Sequence, residues 1–171
     1  MAVIVFLGLI PFFVIISIFI LLIDGRPVFY YDPRMGKRYK LFKLMKFRTM
    51  YLNKGPKVTQ NNDKRISRLG FLLRKIKLDE IPQIINIIKG DMVFIGPRPE
   101  SYEIASSNID FYKYLDNTIP GISDVTSILF RNESSLINGN WKEFYFEKLI
   151  PIKSELTFLQ IKNISFIYKI K

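Results

Sequence analysis

The chain has no cysteine and no histidine. The first absence excludes disulfides, a thiol nucleophile and thiolate metal sites. The second excludes the commonest general base, a Ser-His-Asp triad and imidazole ligands. Catalysis here would have to use Asp, Glu, Lys, Arg, Tyr, Ser or Thr. A metal would have to be a hard cation on oxygen ligands, and Mg²⁺ is the expectation. Negative charge is scarce: 15 Asp and Glu face 26 Lys and Arg, a formal net charge of +11. Such a surplus points to an anionic partner: nucleic acid, anionic lipid or a phosphorylated substrate. There is no Walker-type Gly-rich loop, no internal repeat and no low-complexity segment. At 171 residues the chain suits one domain with a modest core.

What the sequence does have begins with an apolar run. Residues 1–23 carry no charged side chain, and the first is Asp24. As a helix the run would measure roughly 33 Å, enough to cross a bilayer core. Pro11 removes a hydrogen bond in its middle, so two readings compete: a kinked single span, or a re-entrant hairpin within one leaflet. Hydropathy alone favours the span. A cleaved signal peptide is not expected, because no basic n-region and no A-x-A-like site precede Asp24. The flank that follows is strongly basic and places residues 24–171 on the cytoplasmic side.

Asp24-Gly25-Arg26-Pro27 and Asp32-Pro33-Arg34-Met35-Gly36 read as turns. Between and after them, Val28 to Tyr31 and Tyr39 to Met50 predict a small β-hairpin. Arg34, Lys37, Arg38, Lys40, Lys43, Lys46 and Arg48 form a basic block with no acid inside it. It suits a lipid-facing electrostatic patch or, for some of its members, a phosphate clamp. Tyr51 to Asn62 is polar and reads as a loop. A short helix is predicted for Ser67 to Ile76, and a broken one for Tyr102 to Tyr114. Pro120-Gly121 reads as a turn and Val125 to Phe130 as a strand. Trp141 to Leu149 and Pro151 to Ile161 read as amphipathic helices. Arg131 and Glu133 suit a surface ion pair.

The most informative stretch runs from Arg74 to Glu100. Asp79 and Glu80 are adjacent carboxylates where a helix should begin. Ile81, Ile84, Ile85 and Ile88 follow at helical spacing, and Gly90 ends the pattern. Pro82 fits only the first turn, which makes Asp79 the expected N-cap and Glu80 the first helical residue. Arg74, Lys75 and Lys77 lie just upstream. A carboxylate in that place should stay ionised and could attack an electrophile. A cap alone is the commoner role for such an Asp. Gly96-Pro97-Arg98-Pro99 then forces a rigid turn around one guanidinium. An apolar anchor, a basic platform, a carboxylate pair and a fixed Arg together suit phosphoryl transfer at a membrane surface.

These residues resemble the bacterial sugar transferases, the monotopic phosphoglycosyl transferases that start surface-glycan assembly on polyprenyl phosphate. The resemblance runs from about Pro11 to Phe166. It is carried by Pro27-Val28-Phe29, Arg34 with Gly36, and Lys46-Phe47-Arg48-Thr49-Met50. Arg74, Leu78-Asp79-Glu80-Ile81-Pro82-Gln83 and Lys89-Gly90-Asp91-Met92 continue it. Gly96-Pro97-Arg98-Pro99-Glu100 and Pro120-Gly121-Ile122-Ser123 complete it. Their order and spacing together form a specific signal.

The resemblance implies an α+β, mainly helical fold. It has an N-terminal membrane-inserted helix, re-entrant and kinked at Pro11, a small β-hairpin, and amphipathic surface helices around a catalytic domain on the cytoplasmic face of a bacterial inner membrane. It implies that Asp79 attacks the sugar-proximal phosphorus of a nucleoside-diphosphate sugar, a UDP-sugar, and that polyprenyl phosphate then takes the sugar phosphate. Glu80 would assist with metal binding or proton handling, Mg²⁺ would sit on Asp79 and Glu80, and Arg74 and Arg98 would hold phosphate oxygens, with Lys46 and Arg48 in support. Gly121-Ile122-Ser123-Asp124 and the residues after it depart from the commoner Gly-rich form, which leaves the sugar open. A non-catalytic basic module on anionic lipid is the rival reading. Nucleic acid is not expected, since no RNP-like aromatic-basic motif is present.

Overall fold

The computed structural model describes residues 2–51, 63–131, 133 and 143–164. The expected loop after Tyr51 and the start of the helix expected from Trp141 lie outside those residues. Helix α1 spans Ala2–Ile23, with Pro11 inside it. It is the one described helix long and apolar enough to cross a membrane by length and composition. Only Ile16 and Ile20 are buried. They pack with Phe13 on Phe47, Leu73, Phe29 and Leu69, so the C-terminal half of α1 is docked on the body. The remaining surface of the helix is exposed Val, Ile, Leu and Phe.

Strands β1 (Phe29–Met35) and β2 (Leu41–Phe47) form the antiparallel hairpin, with Phe29 opposite Phe47 and Met35 opposite Leu41. The segment Asp32 to Met35 is therefore strand, not the expected turn. The reversal comes later, at Gly36 to Lys40, where Arg38 and Tyr39 take left-handed φ of 54° and 58°. Phe42, Leu44 and Phe47 turn inward from β2. Phe42 and Leu44 share one face of the strand and one core cluster, while Phe47 lies on the other face in a second cluster, so Lys43 and Lys46 also point to opposite faces.

Helix α2 (Arg68–Lys75) begins as expected: Ser67 is its N-cap and its Oγ accepts from the Gly70 N–H at 2.9 Å. A 3₁₀ turn at Leu78–Glu80 follows, then α3 (Gln83–Lys89), closed by Gly90 at φ 82°. The predicted stripe on α3 is rotated. Ile84 is buried, whereas Ile88 is exposed and the buried places beside Ile84 are Gln83 and Asn86. Asn86 explains this. Its Oδ1 accepts from the Met45 N–H at 3.0 Å and its Nδ2 donates to the Lys43 carbonyl at 2.8 Å, which bolts α3 to β2.

Strand β3 (Val93–Ile95) pairs in parallel with β4 (Gly121–Ser123). Pro120-Gly121 thus leads into a strand, and Val125 to Phe130 is not one: Val125–Leu129 is a helix, α5. Asp124 caps it with both halves of a capping box, accepting from the Ser127 N–H and donating its own N–H to Ser127 Oγ. The strands come so close that a Cβ on Gly121 would lie 2.2 Å from the Gly96 nitrogen. Between β3 and β4 run α4 (Tyr102–Ser107) and a 3₁₀ segment, Ile109–Asp116, the broken helix expected there. The C-terminal part is one long helical stretch: a π-helical turn at Phe144–Leu149 leads directly into α6 (Ile150–Ile164). Leu149 and Ile150 are buried, with Met35, Ile104, Tyr112, Leu115 and Tyr145, in the largest core cluster.

Candidate active site

Asp79 is the middle residue of the 3₁₀ turn, not the N-cap of α3, and Pro82 stands at the cap position instead. Lys77 makes the turn possible by taking a left-handed φ of 61°. Glu80 correspondingly ends the turn and does not open a helix. Asp79 is 6 % exposed, and its Oδ1 has no hydrogen-bond partner. Burial pushes its carboxyl above the usual range, against the opposing pull of Lys46, Arg74 and Lys77. The expected ionised cap is thus a desolvated carboxylate kept among cations.

Glu80 has the opposite setting. Its burial alone would raise the carboxyl, but Lys46 and Arg98 outweigh it and hold the group far below the ordinary carboxylate range. Lys46 Nζ lies 3.4 Å from Oε1. Arg98 donates Nη1 to Oε2 at 3.3 Å and Nη2 to Oε1. Burial brings the Lys46 ammonium down to about 8, Glu80 resists that fall, and Arg98 and Arg34 add to it. The adjacent carboxylates are therefore split: one saturated by cations, one with an unused oxygen.

The rigid Arg turn is anchored from below. Asp124, 3 % exposed, accepts the Arg98 backbone N–H at 3.1 Å on the same oxygen that takes the Thr126 hydroxyl at 2.5 Å. Arg98 Nη1 also donates to the Ile122 carbonyl at 3.3 Å. Sequence reading did not single out Asp124 for this task. Its signal was present as an Asp followed three residues later by Ser, a capping pattern.

Arg74 lies in the last turn of α2 beside the site, where its Nε donates to Thr49 Oγ1 at 2.8 Å. Burial depresses its guanidinium, and Asp79 offsets part of the fall. With Lys75, Lys77 and Arg131 it lines a cavity of about 380 Å³. Four basic side chains around one hollow suit a diphosphate. Arg131 does not pair with Glu133, which takes Lys153 instead. Arg48 does not join the site. Its Nη2 donates to the carbonyls of Asp24 and Gly25, at 2.6 and 2.7 Å, and so ties down the exit from α1. Five of the six predicted side chains, Lys46, Arg74, Asp79, Glu80 and Arg98, do act on one another electrostatically.

Among the described residues no group of three carboxylates stands ready to cage a metal. A Mg²⁺ ion shared with substrate phosphates needs only one or two carboxylates. The Asp79 carboxylate can fill that role, whereas both Glu80 oxygens are already taken by Arg98 and Lys46.

The family model for bacterial sugar transferases matches residues 1–171. A UDP-N-acetylgalactosamine-undecaprenyl-phosphate N-acetylgalactosaminephosphotransferase of Aeromonas hydrophila is 38 % identical over 119 residues, 66 % of this chain and 28 % of the relative. The exopolysaccharide production protein ExoY of Sinorhizobium fredii is 33 % identical over 156 residues, 78 % of this chain and 67 % of the relative. An undecaprenyl-phosphate galactose phosphotransferase of Salmonella typhimurium is 32 % identical over 131 residues, 64 % of this chain and 27 % of the relative. The chain thus spans between about a quarter and two thirds of these relatives' lengths. With the match covering every residue from 1 to 171, the chain belongs to the bacterial sugar transferase family.

Proposed function

We propose that the chain transfers a sugar 1-phosphate from a nucleoside-diphosphate sugar, a UDP-sugar, to polyprenyl phosphate, with undecaprenyl phosphate as the acceptor. The observation that carries this reading is the Asp79 oxygen without a hydrogen-bond partner, set among Lys46, Arg74 and Lys77. In the first step that oxygen attacks the sugar-proximal phosphorus. The bridging P–O bond breaks, and UMP leaves with the electron pair. In the second, a phosphate oxygen of the polyprenyl acceptor attacks the same phosphorus, the aspartyl–phosphorus bond breaks, and polyprenyl-diphosphate-sugar departs.

Each residue has a physical task in this scheme. A carboxylate stripped of hydrogen bonds is a stronger nucleophile than a solvated one. The cations of the cavity offset the charge of the diphosphate as it nears that carboxylate. The Glu80–Arg98–Lys46 cluster sets the site's geometry, and the Asp124-held turn keeps Arg98 from swinging away. Mg²⁺, bound through Asp79, would neutralise phosphate charge.

Helix α1 is the anchor of this scheme. We assign it to the inner membrane, with the site on the cytoplasmic face. Pro11, which removes a hydrogen bond in mid-helix, is the residue on which a re-entrant course would turn, in a helix that runs unbroken from Ala2 to Ile23. Single cysteines placed along α1 read this out cleanly, since the chain has no cysteine of its own. A re-entrant helix leaves position 2 labelled only from the cytoplasmic side, and labelling from the other side refutes it.

The activity is tested by incubating the protein in membranes with polyprenyl phosphate and a panel of UDP-sugars, with and without Mg²⁺. UMP release, a labelled phosphosugar on Asp79 by peptide mass spectrometry, and loss of both in Asp79→Asn are expected. An adduct on another residue, or turnover by Asp79→Asn, sinks the mechanism. Salt-sensitive vesicle binding with no UMP release favours the lipid-binding module instead.

A further inference from the structure

Helix α6 grips the segment that carries Arg131 at both of its ends. At the near end, Gln160 Oε1, on a side chain 7 % exposed, accepts the Val125 N–H at 3.1 Å. At the far end, Lys153 Nζ pairs with the Glu133 carboxylate. Arg131 stands two residues before that pair and lines the four-cation cavity. The Lys153 ammonium also lies over two rings, 5.7 Å from the centre of Phe130 and 5.6 Å from that of Tyr145. Tyr145 in turn donates its hydroxyl to Glu100 Oε2 at 2.6 Å. Glu100 follows Arg98 by two residues, in the turn that holds Glu80. The partners of Lys153 thus lead toward both cationic walls of the site, although Lys153 touches neither.

We propose that Lys153 is a positioning residue: its pair with Glu133 holds the Arg131 guanidinium against the cavity, where it takes the diphosphate of the donor. This rests on the function proposed above for its substrate, but on the pair, the two rings and the Gln160 clasp for its geometry. An Arg on a free segment would lose its reach to ordering entropy when an anion binds. Clamping both ends removes that cost beforehand.

The test uses the full chain in nanodiscs, with inorganic diphosphate titrated calorimetrically as the probe. Arg131→Gln should weaken diphosphate binding roughly 10-fold, the scale of one lost charge-assisted contact. Lys153→Met should weaken it by a similar factor. The double variant should be no worse than Arg131→Gln alone, because the two act through one contact. Lys153→Arg keeps the charge and should retain binding. Glu133→Gln leaves Lys153 and the rings in place and serves where Lys153→Met does not fold. With a turned-over UDP-sugar, Lys153→Met should lower kcat/KM no further than Arg131→Gln does, and Lys153→Arg should retain it. Additive losses, unchanged diphosphate binding in both Lys153→Met and Glu133→Gln, or a fall in kcat that follows the folded fraction overturn the proposal. Absent UMP release by the unaltered protein refutes the transfer reading instead, and the diphosphate titration still decides this one.

Discussion

Changing Glu80 to Gln leaves Lys46 and Arg98 facing each other without the charge that holds them together. The Lys46 ammonium and the Glu80 carboxylate are 3.4 Å apart, which is about 5 kcal/mol of attraction at an effective dielectric of 20. Their side chains are 18 % and 13 % exposed, so water screens the pair only in part. Arg98, at 36 %, is the more exposed partner but holds Glu80 through two hydrogen bonds. Removing one member of a buried pair commonly costs about 3–5 kcal/mol, because the other charge stays behind. For a chain of this length that is a fall in melting temperature on the order of 10 °C.

The pH dependence carries a second signature. In the unaltered protein Lys46 titrates near 8 when folded, below the ordinary lysine value, and Glu80 is one of the groups holding it up. Across the interval from there to the unfolded lysine pKa, the unfolded chain binds more protons. Stability from this group therefore rises with pH in that window. Without Glu80 the folded value falls further, so the rise begins at lower pH. Thermal unfolding in nanodiscs at a fixed scan rate, from pH 6 to 10, measures both effects. Adding Lys46→Met to Glu80→Gln should recover most of the loss, since one stranded cation is removed. A melting point within ~2 °C of the parent, or a double variant whose losses simply add, would refute the electrostatic account.

Three further outcomes follow from the same geometry. Asp79→Asn should abolish UMP release yet raise stability by about 1 kcal/mol near neutral pH, because burial makes the charged form costly. The sign follows from the raised pKa: the Asp79 contribution is present below the unfolded carboxyl pKa and lost as pH rises through the folded one. The gain should therefore vanish in acid, and a gain that persists there contradicts it. Gly121→Ala puts a Cβ 2.2 Å from the Gly96 nitrogen and should separate β3 from β4 at a cost of about 3 kcal/mol, read by chemical denaturation. Arg48→Met should cost roughly 2–3 kcal/mol through its contacts to the Asp24 and Gly25 carbonyls, and leave donor KM unchanged. A selective KM effect would return Arg48 to the phosphate site.

The sequence by itself determined what depends on local order. The uncharged run at 1–23, the helix beginning at Ser67 and the Gly90 stop are short-range patterns found where their residues predict them, and the hairpin forms although its reversal falls later than the expected turn. The Asp79-Glu80 pair and the Pro-flanked Arg98 were legible for the same reason: rare residues at close spacing. What the tertiary structure decided was partnership and solvation. Whether Asp79 caps a helix or lies desolvated in a 3₁₀ turn depends on how the neighbouring cations and the turn at Lys77 close around it, and spacing does not encode burial. Arg48 and Lys46 stand two apart on one basic strand end. One binds backbone carbonyls at the exit of α1 and the other a carboxylate from 34 residues away. Val125 to Phe130 has strand composition but forms a helix, because Asp124 and Gln160 satisfy its first amides. Charge count is written in the chain; which charge meets which is settled only when distant segments share the same low-dielectric space.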